Sequence, residues 1–443
     1  MLAVLRAVEP RYQREVVVVG VHAGKFPAER VLGNLRQAAR RLRVEHPIVN
    51  DGDYRIWQRY DVHAWPTLVF LDPQGMVVGK YEGELPAEAL DRLLDDMVRA
   101  FDAQGLLRRE PIEAVVGLEA VETGPLAFPG KVLVDETSNR LFVADSGHHR
   151  VVVAGLDGRV QQVVGSGQPG WVDGDLAACQ FDNPQGMALV DGALFVADAE
   201  NHLVRRVDLV AGRVETVAGT GLQAPIRTRR GPARQTPLNS PWDLARWGRS
   251  LFIAMAGLHQ IWRLDLDAGA VEAFAGTGHE GIRDRRREAA WLAQPMGLAV
   301  DGDRLYFVDS ESSAVRWVDL GADGEVHTIV GTGLFDFGDV DGVGEAALLQ
   351  HPQGSTVADG VVYVADSYNQ KIKRVDPRTR QARTLAGTGQ PGRQDGPASR
   401  AAFHEPGGVS AARGRLYVAD TNNHAVRVVD LLRGEVSTLE LRW

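Results

Sequence analysis

Two hydrophobic rhythms divide this chain. In residues 1–105 apolar positions fall at helical and buried-strand spacings, whereas from residue 125 onward they alternate in short runs broken by turn residues. The first rhythm opens with Leu2, Leu5, Val8 and Tyr12, the spacing of a helix, and continues with a β-branched run over 16–21 suited to a buried parallel strand. It then predicts a helix over 28–44, a strand over 68–71, a hairpin turn at Asp72-Pro73-Gln74-Gly75 and an amphipathic closing helix over 88–101. Residues 106–124 read as a linker.

The second rhythm is a repeat. The phrase LFVADSGHHRV from Leu141 returns as LFVADAENHLV from Leu194, LYFVDSESSAV from Leu305, VYVADSYNQKI from Val362 and LYVADTNNHAV from Leu416, with a degenerate copy, LFIAMAGLHQI, from Leu251. The aligned aspartates are Asp145, Asp198, Asp309, Asp366 and Asp420, and Met255 takes the slot in the degenerate copy. Ten residues after each of the last five slots stands another aspartate (Asp208, Asp265, Asp319, Asp376, Asp430), and fourteen before each stands a proline. Each copy reads as four short strands. A single four-stranded sheet cannot bury both its faces, but sheets packed radially about an axis can, so six copies predict an all-β six-bladed propeller over 125–443. The aspartate closing the second strand is expected to be structural, accepting N–H groups of the turn that follows it.

Asn201-His202-Leu203 spells the triplet that names the NHL family, and His148-His149, Asn369-Gln370 and Asn423-His424 fill the matching slot. On these residues the chain resembles NHL propellers across 125–443. The phrases EVVVVGVHAGKF from Glu15, HPIVNDGDYRIWQRYDVHAWPTLVFLDPQGMVVGKYEGEL from His46 and FPGKVLVDETSNRLFVADSGHHRV from Phe128 are similar to the family of NHL repeat-containing protein 2, its bacterial relatives above all. That resemblance implies a multidomain chain, a thioredoxin-like α/β domain followed by the propeller. It further implies that Trp65, Pro66 and Thr67 form the cis-proline loop that lines a substrate groove. The family's first strand and C-x-x-C would lie upstream of Met1, and that strand would sit between the strands at Val16 and Leu68. The α/β domain is therefore expected to be incomplete, with two unpaired edges. Either the translated start lies too far downstream or the domain has decayed into a cap; the cost of unpaired buried backbone favours the first.

The cysteine count changes this picture most. Cys179 is alone among 443 residues, which excludes an internal disulfide, a cysteine-rich zinc site and dithiol exchange within residues 1–443. It aligns with Thr236, Ala290, Ala347 and Ala401, so the position calls for a small, buried, structural residue. A net charge of −9 argues against general polyanion binding. The basic loops Arg227-Thr228-Arg229-Arg230 and Arg283-Asp284-Arg285-Arg286-Arg287 leave an RNA-binding rim as a disfavoured alternative to solvated loop charge. Asp339-Val340-Asp341-Gly342 resembles part of a calcium loop but lacks its later acidic ligands; with Asp173-Gly174 and Asp395-Gly396 it reads as a turn former.

No metal site, cofactor or nucleophile motif is expected; the lack of a long apolar run and of a signal-like opening points to a cytoplasmic protein without a membrane span, and a monomer is expected. The leading expectation is a non-catalytic binding or scaffold protein whose inter-blade loops (165–184, 219–241, 276–295, 331–352 and 387–406) engage a protein partner. The alternative is a thiol–disulfide oxidoreductase, with its dithiol upstream of Met1 and the propeller recruiting substrate.

Overall fold

A computed structural model describes residues 1–109, 124–225 and 228–443. The chain divides into two compact units, Met1–Val121 and Glu122–Trp443.

The first unit is α/β, in the order α1 (Leu2–Val8), β1 (Gly20–His22), α2 (Leu32–Arg41), β2 (Ile48–Asn50), α3 (Arg55–Arg59), β3 (Thr67–Leu71), β4 (Val77–Glu82) and α4 (Ala87–Ala103). β1 pairs in parallel with β2, and β3 pairs antiparallel with β4. Among the described residues no strand joins the two pairs, so the sheet carries the gap anticipated between the strands at Val16 and Leu68. Two expectations fail here. The run over 16–21 is not a buried strand: only its end enters a ladder, and Val17, Val19 and Val21 are exposed, because β1 is covered along one edge alone. The helix expected over 28–44 is broken into a 3-10 turn, Pro27–Arg30, and α2, with Val31 extended between them. The carboxylate of Glu29 accepts the Phe26 N–H at 2.9 Å and so fixes that first turn as a separate piece. Val8, Tyr12, Leu90 and Leu94 form the small core, with Val16, Leu68 and Phe70 at its margin. The hairpin forms as expected, Asp72 Oδ1 accepting the N–H groups of Gln74 and Met76 at 2.9 and 2.8 Å.

The second unit is a six-bladed propeller. Its blades span residues 131–164, 184–218, 241–275, 295–330, 354–386 and 406–439, each an antiparallel sheet of four strands in chain order from axis to rim. The first strands of successive blades touch in a closed ring that includes the seam between blades 6 and 1. Six apolar clusters fill the six seams, each drawing on two neighbouring blades; Phe142, Val153, Phe181 and Val196, for example, join blades 1 and 2. No blade owns a core, which is why a lone repeat could not fold. Close approach at the axis demands glycine: a Cβ on Gly186 would fall 2.1 Å from Asp243 Oδ1, and one on Gly408 would fall 2.8 Å from the Cα of Lys131. The inter-blade loops before blades 2, 3, 5 and 6 each add a short edge strand to the outer strand of the blade they enter. Blade 1 is sealed by the chain's last residues, where the Val160 N–H donates to the Arg442 carbonyl at 2.8 Å.

Candidate functional site

The repeated aspartates are fully buried, and their partners correct the sequence expectation. Oδ1 accepts no N–H from the following turn. It accepts from the loop that enters the same blade, sixteen residues earlier: Asp182 to Asp198, Ala293 to Asp309, Gln350 to Asp366 and His404 to Asp420, all at 2.7–2.8 Å. In blade 1 the donor to Asp145 is Ala127, eighteen residues back. Asx-turns belong to the other aspartate series, as in Asp208, which accepts from Val210 and Ala211, and Asp430, which accepts from Leu432 and Arg433. Oδ2 receives a buried guanidinium: Arg205 to Asp198 at 2.9 Å, Arg316 to Asp309 at 2.8 Å and Arg427 to Asp420 at 2.8 Å.

Each of these arginines reaches a second carboxylate, Asp173, Asp284 or Asp395, at 2.6–2.9 Å. That carboxylate is in turn held by the backbone and hydroxyl of Thr216, Thr328 or Thr438. Asp173 and Asp395 are therefore more than turn formers. In blade 5 Lys373 replaces the arginine and binds Asp339 and Asp341 at 2.7 and 2.8 Å, which accounts for the acidic pair without a calcium ion. Burial pushes the Asp198 and Asp366 carboxyls up to about 7 and that of Asp420 up to about 6. Blade 3 replaces the whole network together: Met255, Trp262, Arg230 and Ala273 stand where blade 2 has Asp198, Arg205, Asp173 and Thr216. The Trp262 indole is buried and donates to Gln260 at 3.0 Å.

In the first unit, the Trp65-Pro66 peptide is cis. Trp65 is 50% exposed, its ring lies tilted against that of Trp57 with centroids 4.5 Å apart, and its Nε1–H donates to the Ala23 carbonyl at 2.8 Å. Thr67 Oγ1 donates to the Ala64 carbonyl at 2.7 Å. The loop thus ties the end of β1 to the start of β3. The sequence did not single out Trp57, which α3 carries; Asp51 positions that helix by accepting the N–H groups of Ile56 and Trp57.

A thioredoxin-like domain family model matches residues 5–98, and the NHL repeat model matches residues 126–154, 181–206 and 403–429. NHL repeat-containing protein 2 of Bos taurus is 42% identical to the chain over 474 residues, covering 99% of the chain and 65% of that relative. The chain is homologous to NHL repeat-containing protein 2. Protein SUPPRESSOR OF QUENCHING 1, chloroplastic, of Arabidopsis thaliana is 39% identical over 99% of the chain and 44% of its own length. The chain thus spans 65% and 44% of the lengths of these two relatives. Among solved structures, an auxiliary nutrient binding protein from Bacteroides thetaiotaomicron shares the fold at a TM-score of 0.52 and 13% identity, over 71% of this chain and 70% of that one.

Within this NHL propeller each letter of the triplet has a contact of its own. The asparagine amide (Asn201, Asn369, Asn423) bridges the buried aspartate to a glycine carbonyl of the incoming loop at 2.6–2.7 Å. The histidine slot reaches the next blade. His149, His202, His259 and His424 accept, at Nδ1, the backbone N–H of Asn183, Ser240, Gln294 and Phe128, at 3.0–3.2 Å. Ser313 and Gln370 take the same part with oxygen acceptors. The leucine, Leu203, is buried at the start of the third strand.

The remaining candidates resolve by burial and pairing. Cys179 is buried, its thiol pushed up to about 11 by desolvation, and its counterparts Thr236, Ala290, Ala347 and Ala401 are buried too. Arg227 lies outside the described residues. Arg229 donates to the Thr277 carbonyl, Arg286 pairs with Asp323, and Arg287 donates to Gly321 and stacks on Phe274. On the innermost strand of blade 1, the buried Lys131 ammonium donates to the carbonyls of Met296 and Gln353 and lies 3.5 Å from Asp243. Among the described residues no cluster of His, Cys, Asp or Glu could hold a metal ion, and no helix is long and apolar enough to cross a membrane. The inter-blade loops carry exposed apolar side chains, Trp171 at 49%, Leu222 at 69% and Phe335 at 69% among them; others lie on strand-connecting turns, as Val210 and Leu432 do, and in the first unit. The Trp171 ring lies over Gly221, which joins the first two loops into one surface.

Proposed function

We propose that this homologue of NHL repeat-containing protein 2 is a binding or scaffold protein whose inter-blade loops engage a protein partner. The carrying observation is the set of exposed apolar side chains, Trp171, Leu222 and Phe335, on loops anchored to a rigid ring by buried hydrogen bonds. Solvated apolar groups on a fixed frame favour association, and aromatic anchors are what protein interfaces use. The test is capture of partners from the native source by the full chain and by a Leu222→Ser/Phe335→Ser variant. A discrete partner retained by the first and lost by the second, with both equally stable, supports the reading; equal retention contradicts it.

A second reading, thiol–disulfide exchange, is favoured by the thioredoxin-like match over 5–98 and by the half-exposed Trp65 beside Pro66. It requires thiols that residues 1–443 do not supply, since Cys179 is buried with a raised pKa and the thiolate is the reactive form. Insulin reduction by this chain is expected to match that of a Cys179→Ala variant and the uncatalysed background; a faster rate would restore the redox reading.

A further inference from the structure

Five of the six seams of the propeller are bridged covalently by an inter-blade loop; the seam between blades 6 and 1 is closed by side chains and backbone alone. The short segment before blade 1 is tied to blade 1 by Arg150, which donates to the Pro125 carbonyl at 2.9 Å, and by backbone bonds from Gly147 to Ala127 and from Gly130 to Ala144, with Leu126 buried in the seam. Three further contacts bear on its closure. Ala127 N–H donates to Asp145 at 2.7 Å, Phe128 N–H donates to His424 Nδ1 at 3.0 Å, and the Thr421 hydroxyl donates to the Pro129 carbonyl at 2.9 Å. Of these, the His424 contact has a chemical condition. A backbone N–H can donate to Nδ1 only while that nitrogen keeps its lone pair, so the imidazole must be neutral with its proton on Nε2.

We propose that the closing seam carries an acid-sensitive latch, in which protonation of His424 expels the Phe128 N–H and opens the seam locally at Phe128, while the remaining contacts keep the segment on blade 1. The surroundings of His424 sharpen the response. It is faced by Asp145 and His148 of blade 1, by His404 and Arg393 from the loop before blade 6, and by the Phe128 ring at 4.4 Å. Asp145 is the one carboxylate among these groups and is already engaged by His148 at 2.9 Å and Arg150 at 2.8 Å. A proton arriving at His424 therefore meets imidazoles and guanidiniums and finds no idle acceptor. Burial lowers the His424 pKa, against the smaller opposing pull of Asp145. The unfolded imidazole takes up its proton near 6.5, so the latch contributes fully above about that pH and is lost as pH falls through the lower folded value.

The chain contains its own non-titrating version of the device. In blade 5 the same slot is Gln370, whose Oε1 accepts the Glu405 N–H at 2.5 Å. His424→Gln should therefore keep the latch and remove its pH dependence, whereas His424→Leu should lose the latch at every pH. Global melting is the wrong readout, because the raised pKa values of the buried aspartates favour the folded state toward acid over an overlapping range. The measurement is amide hydrogen exchange of the full chain at about pH 7.5 and about pH 5, corrected for intrinsic exchange, with the Glu405 amide as internal reference. Protection at Phe128 is expected to fall several-fold relative to Glu405 in the wild type and to stay level in His424→Gln. No relative fall in the wild type, or an equal fall in His424→Gln, would overturn the proposal. Should His424→Leu fail to fold, the comparison of wild type with His424→Gln decides alone.

Discussion

The buried Asp–Arg–Asp–Thr network shows what single residues contribute and how much of it can be read in advance. Its members stand at fixed offsets in the sequence, and their joint replacement in the third copy, by Met255, Trp262, Arg230 and Ala273, is visible in the aligned letters. What the letters hide is the partner: the carboxylate of Asp198 binds the Asp182 N–H, sixteen residues earlier, so the contact exists only once the loop has crossed to the next blade. The joint replacement has a thermodynamic reason, since breaking one side of a buried ion pair leaves an uncompensated charge, while exchanging both for apolar groups can be nearly neutral. Arg205→Trp alone is expected to destabilise the chain by about 3–5 kcal/mol, as a fully buried Asp198 loses its cation. Adding Asp198→Met should recover part of that loss, and urea unfolding of both variants measures the coupling; strict additivity would contradict the account. Cys179 behaves as its alignment suggests. Cys179→Ala should change stability by less than about 1 kcal/mol, because alanine fills three sister positions, and the native thiol should resist alkylation until the chain unfolds.

At the scale of elements, legibility follows how local the determinants are. Strands of the blades, with their two-residue alternation and turn residues, sit where the pattern puts them, and so does α4, because a helix face and a hairpin are specified within a few residues. The first unit is less legible for a physical reason. Whether the run over 16–21 becomes a buried strand depends on a neighbour along its second edge, and a periodicity of apolar residues carries no information about neighbours. Edge pairing also decides the outer rim of blade 1. Its last strand, Val160–Val164, is met by residues 440–443, with Val160 donating to Arg442 and Arg442 donating to Gly158, both at 2.8 Å. Deleting residues 440–443 removes these two backbone bonds and should lower stability by about 1–3 kcal/mol. Thermal unfolding of the shortened chain checks this, and an unchanged midpoint would mean that the rim strand is held without them.

For the whole molecule, the proposed binding role rests on a division of labour that the six seams make possible. Apolar clusters and histidine, serine or glutamine latches fix the blades to one another, and Lys131 on the innermost strand of blade 1 binds carbonyls of blades 4 and 5. The loop surface around Trp171, Leu222 and Phe335 is left solvated and apolar. The repeat announced the ring and its loops from sequence. Which loop residues face solvent was not legible, because Phe181, buried in a seam, and Phe335, exposed, are both loop phenylalanines. The most direct measurement is a hydrogen-exchange footprint of the full chain with its captured partner bound. New protection is expected only on the loops carrying Trp171, Leu222 and Phe335; protection confined to residues 1–109, around Trp65, would contradict a propeller-loop binding face.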